Sequence, residues 1–198
     1  MAARSERIIL ASASPARAAL LTAAGVEFTI MPAGVDEARI KREARRAGDS
    51  AVECAVVLAT EKARLVSERY PEALVVGADQ ILEAGGEWFD KPMRWAQLES
   101  LRDRGHSLAT AACVACAGIP LWRASSAPEL RMRRFSDAFL DAYLAAEGES
   151  LLGSVGAYRL EGRGVQLFAR ISGDHFAVLG LPLIGLLAFL RERGAVLT

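Results

Sequence analysis

The apolar and polar positions alternate between two periods along this chain. Arg7 to Ala11 is a short apolar run that predicts a first strand. Ser14-Pro15 then marks a helix start, because serine caps and proline fits the first turn. The predicted helix, Ala16 to Ala24, stops at Gly25. Phe28 to Met31 predicts a second strand, and Asp36 to Gly48 a charged, irregular stretch or short helix. From Asp49 to Tyr70, apolar residues such as Val52, Ala55, Leu58, Ala59, Ala63 and Val66 share one broad face at helical spacing. Pro71 ends that helix. Leu74 to Ala78 is continuously apolar, so it predicts a central strand covered on both sides, ending at Asp79.

Ile81 to Trp88, interrupted by Gly85-Gly86, predicts a hairpin leading to Asp90-Lys91-Pro92. Arg94 to Asp103 predicts a helix. Ser107 to Ala117 and Pro120 to Ser126 predict long antiparallel strands, and Leu130 to Phe135 and Val165 to Ile171 predict further strands. Ser136 to Glu147 and Pro182 to Arg193 predict helices. Strands and helices alternate first and antiparallel pairs follow. The expected class is α/β, with a mixed twisted sheet flanked by helices, formed by residues 1–198 as one domain without repeats or an obvious linker.

Composition narrows the function classes. The 198 residues carry 24 basic and 24 acidic side chains, so no overall positive field exists to hold nucleic acid. The short basic run Arg131 to Arg134 reads as a solvated strand edge. Cys54, Cys113 and Cys116 are an odd number in apolar surroundings, and the lone C-x-x-C lacks a second pair. They read as buried thiols rather than a zinc or disulfide framework. The apolar stretches near both ends are too short for a membrane span, which gives the expectation of a soluble cytoplasmic protein with no membrane partner.

Three features can carry chemistry. The turn Ser12-Ala13-Ser14-Pro15-Ala16-Arg17 joins a strand to a helix N-terminus and suits a phosphate, although an ordinary capped helix with a surface arginine has the same pattern. Asp79 leaves an apolar strand where open α/β sheets place their sites; it can ligate Mg²⁺ or take a proton from water, or simply make an Asx turn. Lys62 and Lys91 are two of only three lysines. Lys62 projects into an apolar helical arc, which is costly unless it snorkels or meets an anion.

The ordered set of these motifs resembles the Maf family of nucleotide pyrophosphatases. The family's S-x-S-P-R-R is matched by Ser12 to Arg17, its Val-Asp-Glu by Val35-Asp36-Glu37, and its K-A by Lys62-Ala63. Gly77-Ala78-Asp79 matches G-A/S-D, Lys91-Pro92 matches K-P, and Gly105-His106 the G-x-H region. Tyr158, Glu161-Gly162, Gly173-Asp174 and Gly180-Leu181-Pro182-Leu183 complete the series over nearly the whole chain.

The resemblance implies an elongated, two-lobed Maf/ITPase-like fold with a central cleft. It implies hydrolysis of a nucleoside triphosphate to a monophosphate and pyrophosphate, a house-cleaning activity that needs Mg²⁺ or Mn²⁺. Asp79 is implied as general base, with Glu37 and Asp79 supporting the metal. Ser12, Ser14, Arg17, Lys62 and Lys91 are implied on the phosphates. Family members often dimerise, which implies a homodimer.

Two departures stand out. Ala16 replaces the first family arginine, and Gln80 with Glu161 is similar to the branch acting on 7-methyl-GTP rather than the dTTP/UTP branch. Glu161 would accept N–H donors from a guanine edge and suit a cationic methylated base. The alternatives are a dTTP/UTP pyrophosphatase, and a nucleotide-binding regulator of septum formation with weak catalysis.

Overall fold

The computed structural model describes residues 7–89 and 96–197. Among the described residues, eight strands form one mixed sheet in the order β2-β1-β3-β5-β7-β8, with β4 beside β3 and β6 beside β5. The strands are β1 (Arg7–Leu10), β2 (Thr29–Ile30), β3 (Ala73–Ala84), β4 (Glu87–Phe89), β5 (Gly105–Cys116), β6 (Ile119–Ser126), β7 (Glu129–Met132) and β8 (Phe168–Ser172). The pairings of β1 with β2 and β3 are parallel and all the others antiparallel. Helices α1 (Pro15–Ala23), α2 (Glu37–Ala47), α3 (Ala51–Arg69), α4 (Ala96–Ser100), α5 (Asp137–Glu147), α6 (His175–Val178) and α7 (Leu183–Glu192) surround it. The mixed α/β class read from the sequence is the class observed.

The helix starts are chemically legible. Ser14 caps α1, its Oγ accepting from Arg17 N–H, and Pro15 occupies the first turn. Ser50 and Glu53 form a reciprocal capping box on α3. Ser136 caps α5. The charged stretch after Asp36 is a full helix rather than an irregular segment. Asp36 accepts from Arg39 N–H at its start, and Gly48 ends it at φ 82°.

Two strand boundaries differ from expectation for related reasons. β3 does not end at Asp79 but continues to Ala84, because β5 pairs with it through Glu83. β8 begins at Phe168, since residues 163–167 form a 3-10 helix. In both places long-range pairing decides what local pattern leaves open.

The two long strands, β3 and β5, join two apolar cores. Leu74, Val76 and Ala78 pack with α1 and α7, while Leu82, Leu108 and Leu130 pack with Met132, Phe135 and Tyr143 in the C-terminal core. On the opposite face Ile81 and the small residues Ala109, Ala111, Cys113 and Ala115 lie under α3. Cys113 therefore faces α3, and Cys116 packs on the other side of the sheet, as a C-x-x-C on a strand requires.

Gly77 sets how closely α3 sits. A Cβ there would lie 2.2 Å from Ala59 O and 2.6 Å from Ala63 N, both backbone atoms of the helix. Gly77→Ala is expected to cost at least about 2 kcal/mol, since only movement of the whole helix relieves such overpacking. Urea unfolding of the variant checks this; an unchanged midpoint would mean α3 is not held this close.

The C-terminal core buries a titratable group. His106 is 5% exposed; its Nε2 lies 2.8 Å from Tyr158 Oη, and its Nδ1 is buried without a partner. Burial pushes the His106 pKa down to about 4 and raises that of Tyr158 well above the usual phenol range. Between its ordinary value near 6.5 and 4, the unfolded chain binds a proton that the folded chain does not. Stability is thus expected to fall as pH drops through that window, by up to about 3 kcal/mol. Denaturant titrations at pH 7.5 and 4.5 test this. His106→Gln should remove the histidine part of the slope, and an unchanged slope would contradict it.

Candidate active site

The site forms where the parallel ladder of the sheet stops. The last parallel pair is Leu10 with Val76, and Ala11 N–H still donates to Val76 O at 2.8 Å. Beyond that, β1 turns away into α1, whereas β4 joins the same strand only from Leu82. The stretch of β3 between them contains Ala78, Asp79 and Gln80. A sheet edge left unpaired there has polar backbone groups to satisfy.

Arg17 fills part of that gap. Its Nη1 donates to Ala78 O at 2.9 Å, the next acceptor along the strand from Val76 O. The same nitrogen donates to Ser12 Oγ at 3.0 Å, and Nε donates to Gly180 O at 2.9 Å. The guanidinium is thus buried and held by neutral oxygens, which ties β1, β3 and the α6–α7 connection together. Burial lowers its pKa, while the charges of Asp79 and Glu37 oppose that shift. None of these bonds uses Nη2. Ser12 Oγ also accepts from Ser14 N–H at 3.2 Å, so the turn is cross-linked by its own hydrogen bonds.

Asp79 and Lys62 meet on the α3 face of the sheet. Alternation places Asp79 on the side of Gly77 and Ile81, and the close approach of α3 brings Lys62 over it. Lys62 Nζ donates to Asp79 Oδ1 at 2.5 Å and lies 2.6 Å from Glu37 Oε1. Lys62 and Asp79 are buried, whereas the Glu37 side chain is 46% exposed at the first turn of α2. One ammonium thus gathers two carboxylates, one from the strand and one from the solvent side. The lysine on an apolar arc finds the anion its burial demands.

This donor set suits a hard divalent cation in part. Two carboxylates close to one another are the protein share of a Mg²⁺ site whose remaining ligands are phosphate and water oxygens. Among the described residues no group of three or more His, Cys, Asp or Glu side chains forms a complete metal cage. The residues present fit a cation that arrives with its substrate better than one held by protein alone.

Comparison with known proteins decides the family. The family model described as "Maf-like protein" matches residues 7–193. This chain belongs to the Maf-like family. A nucleoside triphosphate pyrophosphatase of Granulibacter bethesdensis is 50% identical over 194 residues, covering 96% of this chain and 98% of the relative. A 7-methyl-GTP pyrophosphatase of Mesorhizobium japonicum is 46% identical, covering 96% and 98% of the two chains. Another 7-methyl-GTP pyrophosphatase, from Rhizobium meliloti, is 43% identical, covering 96% of this chain and 97% of that one.

The remaining site expectations fall in different places on this Maf-like chain. Gln80 follows Asp79 and therefore points to the opposite face. There its Nε2 donates to Thr110 Oγ1 at 2.9 Å, Ala177 O at 2.9 Å and Val178 O at 3.1 Å. Thr110 is fully buried and itself donates to Ala177 O at 2.9 Å. Gln80 and Thr110 thus anchor α6 to the sheet, directly behind Asp79. Glu161 lies in the turn before the 3-10 helix of residues 163–167, half-exposed, with Oε1 3.6 Å from Arg159 Nε. Lys91 lies outside the described residues.

Sequence reading did not anticipate the contacts of Thr110, Ala177 and Gly180. Two signals were available. Thr110 is the one hydroxyl in the apolar run from Leu108 to Cys116, and Gly180 is a glycine before Leu181-Pro182, where the structure has φ 108° and a pro-Cβ position 3.3 Å from Arg17 Nε. The short basic run also divides: Met132 is buried, Arg133 lies over the Phe139 ring at 4.3 Å, and Arg131 points to the other face.

Among the described residues, no helix is long and apolar enough to cross a membrane.

Proposed function

We propose that this chain is a nucleoside triphosphate pyrophosphatase, hydrolysing its substrate to a nucleoside monophosphate and pyrophosphate. The single observation that carries this reading is the meeting of Asp79, Lys62 and Glu37 beside the hydrogen-bonded Ser12–Arg17 turn. Relatives bearing that name at about half identity support it.

In this reading the triphosphate lies across the N-terminus of α1. Its anionic oxygens meet the first-turn N–H groups, the Ser14 hydroxyl and Arg17 Nη2, the guanidinium nitrogen that the internal bonds leave unused. Lys62 holds the Asp79 carboxylate in one orientation. Asp79 takes the proton of a water molecule whose oxygen bonds to the α-phosphorus. The bond from that phosphorus to the bridging oxygen breaks, and pyrophosphate leaves with the electron pair. Lys62, and Lys91 from the segment after β4, balance the charge that grows on the phosphates. Glu37 and Asp79 would hold a divalent cation, Mg²⁺ or Mn²⁺, whose chemistry there is to neutralise phosphate charge.

We assign the base preference to 7-methylguanine. Glu161 supplies an anion for a cationic base and acceptors for its N–H groups. Gln80 has its amide N–H groups committed to Thr110 and α6, so its contribution is to hold α6 against the sheet behind Asp79 rather than to donate to a base. Two relatives named as 7-methyl-GTP pyrophosphatases support this choice. A cytoplasmic setting and a homodimer belong to the same proposal.

The test is pyrophosphate release from 7-methyl-GTP, GTP, dTTP, UTP and CTP with Mg²⁺ or Mn²⁺. The expected result is turnover highest on 7-methyl-GTP. Absence of pyrophosphate from every member, with nucleotide still bound, would overturn the enzyme reading in favour of a binding protein.

A further inference from the structure

The sheet carries a second polar surface that the reaction above does not use. In the C-terminal half, one face of β5, β7 and β8 packs on the core through Leu108, Leu130 and Ile171. The opposite face lines an open concavity of about 410 Å³ that includes Glu83, Ser107, Glu129, Arg131 and Arg170.

Strand register orders the side chains of this surface in two rows. In one row Gly105 pairs with Arg131, and Arg131 pairs with Arg170. Two guanidiniums directly opposite each other repel, and the fold places them beside a glycine whose side-chain position is open, its nearest neighbour being 3.9 Å away. Arg131 is balanced by Asp103 at 3.1 Å. Arg170 makes no hydrogen bond or ion pair with any described residue. In the adjacent row Glu83 pairs with Ser107 and Ser107 with Glu129, which sets two carboxylates either side of a hydroxyl. Neither carboxylate is paired with a described residue, although guanidiniums lie in the next row.

Charges of opposite sign that line one hollow without closing on each other match a ligand that is itself divided. An arginine pair takes a phosphate through charge-assisted, forked hydrogen bonds. A carboxylate pair takes N–H or O–H donors of a base or ribose. We propose that this face is a second binding site, for a nucleoside monophosphate. Arg131 and Arg170 hold its phosphate, and Glu83 and Glu129 receive its donor groups. The site stands independently of the reaction assigned to Asp79.

Calorimetric titration with guanosine monophosphate and with inorganic phosphate tests it. The expected result is a saturable site for guanosine monophosphate that Arg170→Ala weakens at least about tenfold, the loss of one charge-assisted contact. Arg170→Ala should weaken phosphate binding as well, and Glu83→Gln should weaken the nucleotide alone. Arg170 is exposed, so the variant should keep its fold and, without added monophosphate, unchanged triphosphate turnover. Nucleotide binding equal in wild type and Arg170→Ala, or no saturable site, would overturn the proposal. Phosphate binding as tightly as the nucleotide would overturn the nucleotide assignment. A protein inactive on triphosphates that still binds guanosine monophosphate through Arg170 would overturn only the reaction.

Discussion

Asp79→Asn is expected to lower turnover by about a hundredfold to ten-thousandfold, the range spanned by removal of a positioned general base. The amide keeps the shape of the side chain and an oxygen for Lys62 but cannot accept a proton at neutral pH. Binding should change much less than turnover, because the Ser12–Arg17 turn does not depend on Asp79 for its bonds. Steady-state kinetics checks this. A variant with near wild-type turnover would remove Asp79 from the chemistry and leave it a structural partner of Lys62.

Lys62→Met is expected to act on both stability and activity. The methionine fills the apolar arc of α3 well, so packing alone predicts little change. The loss of the ammonium leaves the buried Asp79 carboxylate and Glu37 close together with nothing between them. Breaking a buried pair in this way costs about 3–5 kcal/mol. Adding Asp79→Asn to Lys62→Met should restore part of that stability, since the uncompensated buried charge is then gone. Turnover should not recover. Denaturant unfolding of the two single variants and the double variant separates these effects. Strict additivity would show that Lys62 and Asp79 do not act as a pair.

What the sequence reveals and what it hides follows from the range of the interactions. The caps at Ser14 and Ser136 and the glycine turn of the β3–β4 hairpin are local, and all were readable from a few neighbouring residues. Lys62 was readable as a cation in need of an anion, because the helical period places it among apolar residues. That it gathers both Asp79 and Glu37 depends on α2 folding as a helix, whose apolar face is only Ile40 and Ala44, one turn apart within a run of charges. The end of β3 was misplaced because Asp79-Gln80 breaks an apolar run as a turn would. Only the pairing with β5 keeps the strand going.

Arg17 shows the same limit more sharply. Next to a helix start it reads as a ligand for phosphate. Its acceptors at Ala78 and Gly180 lie 61 and 163 residues away, so no local pattern signals that most of its donors serve the fold. The consequence is functional. A guanidinium fixed on three neutral acceptors keeps its charge and presents it in one orientation, which lowers the reorganisation needed when a phosphate binds. Ala16, beside it, contributes no second cation to the turn, where Arg17 is the only cation of the segment from Ser12 to Arg17.

The central claim is that water attacks the α-phosphorus beside Asp79. Phosphorus NMR of a reaction run to completion in ¹⁸O-labelled water tests it most directly. The account expects equal amounts of nucleoside monophosphate and pyrophosphate, with the label only in the monophosphate. Orthophosphate and nucleoside diphosphate as products, or label in the pyrophosphate, would contradict it.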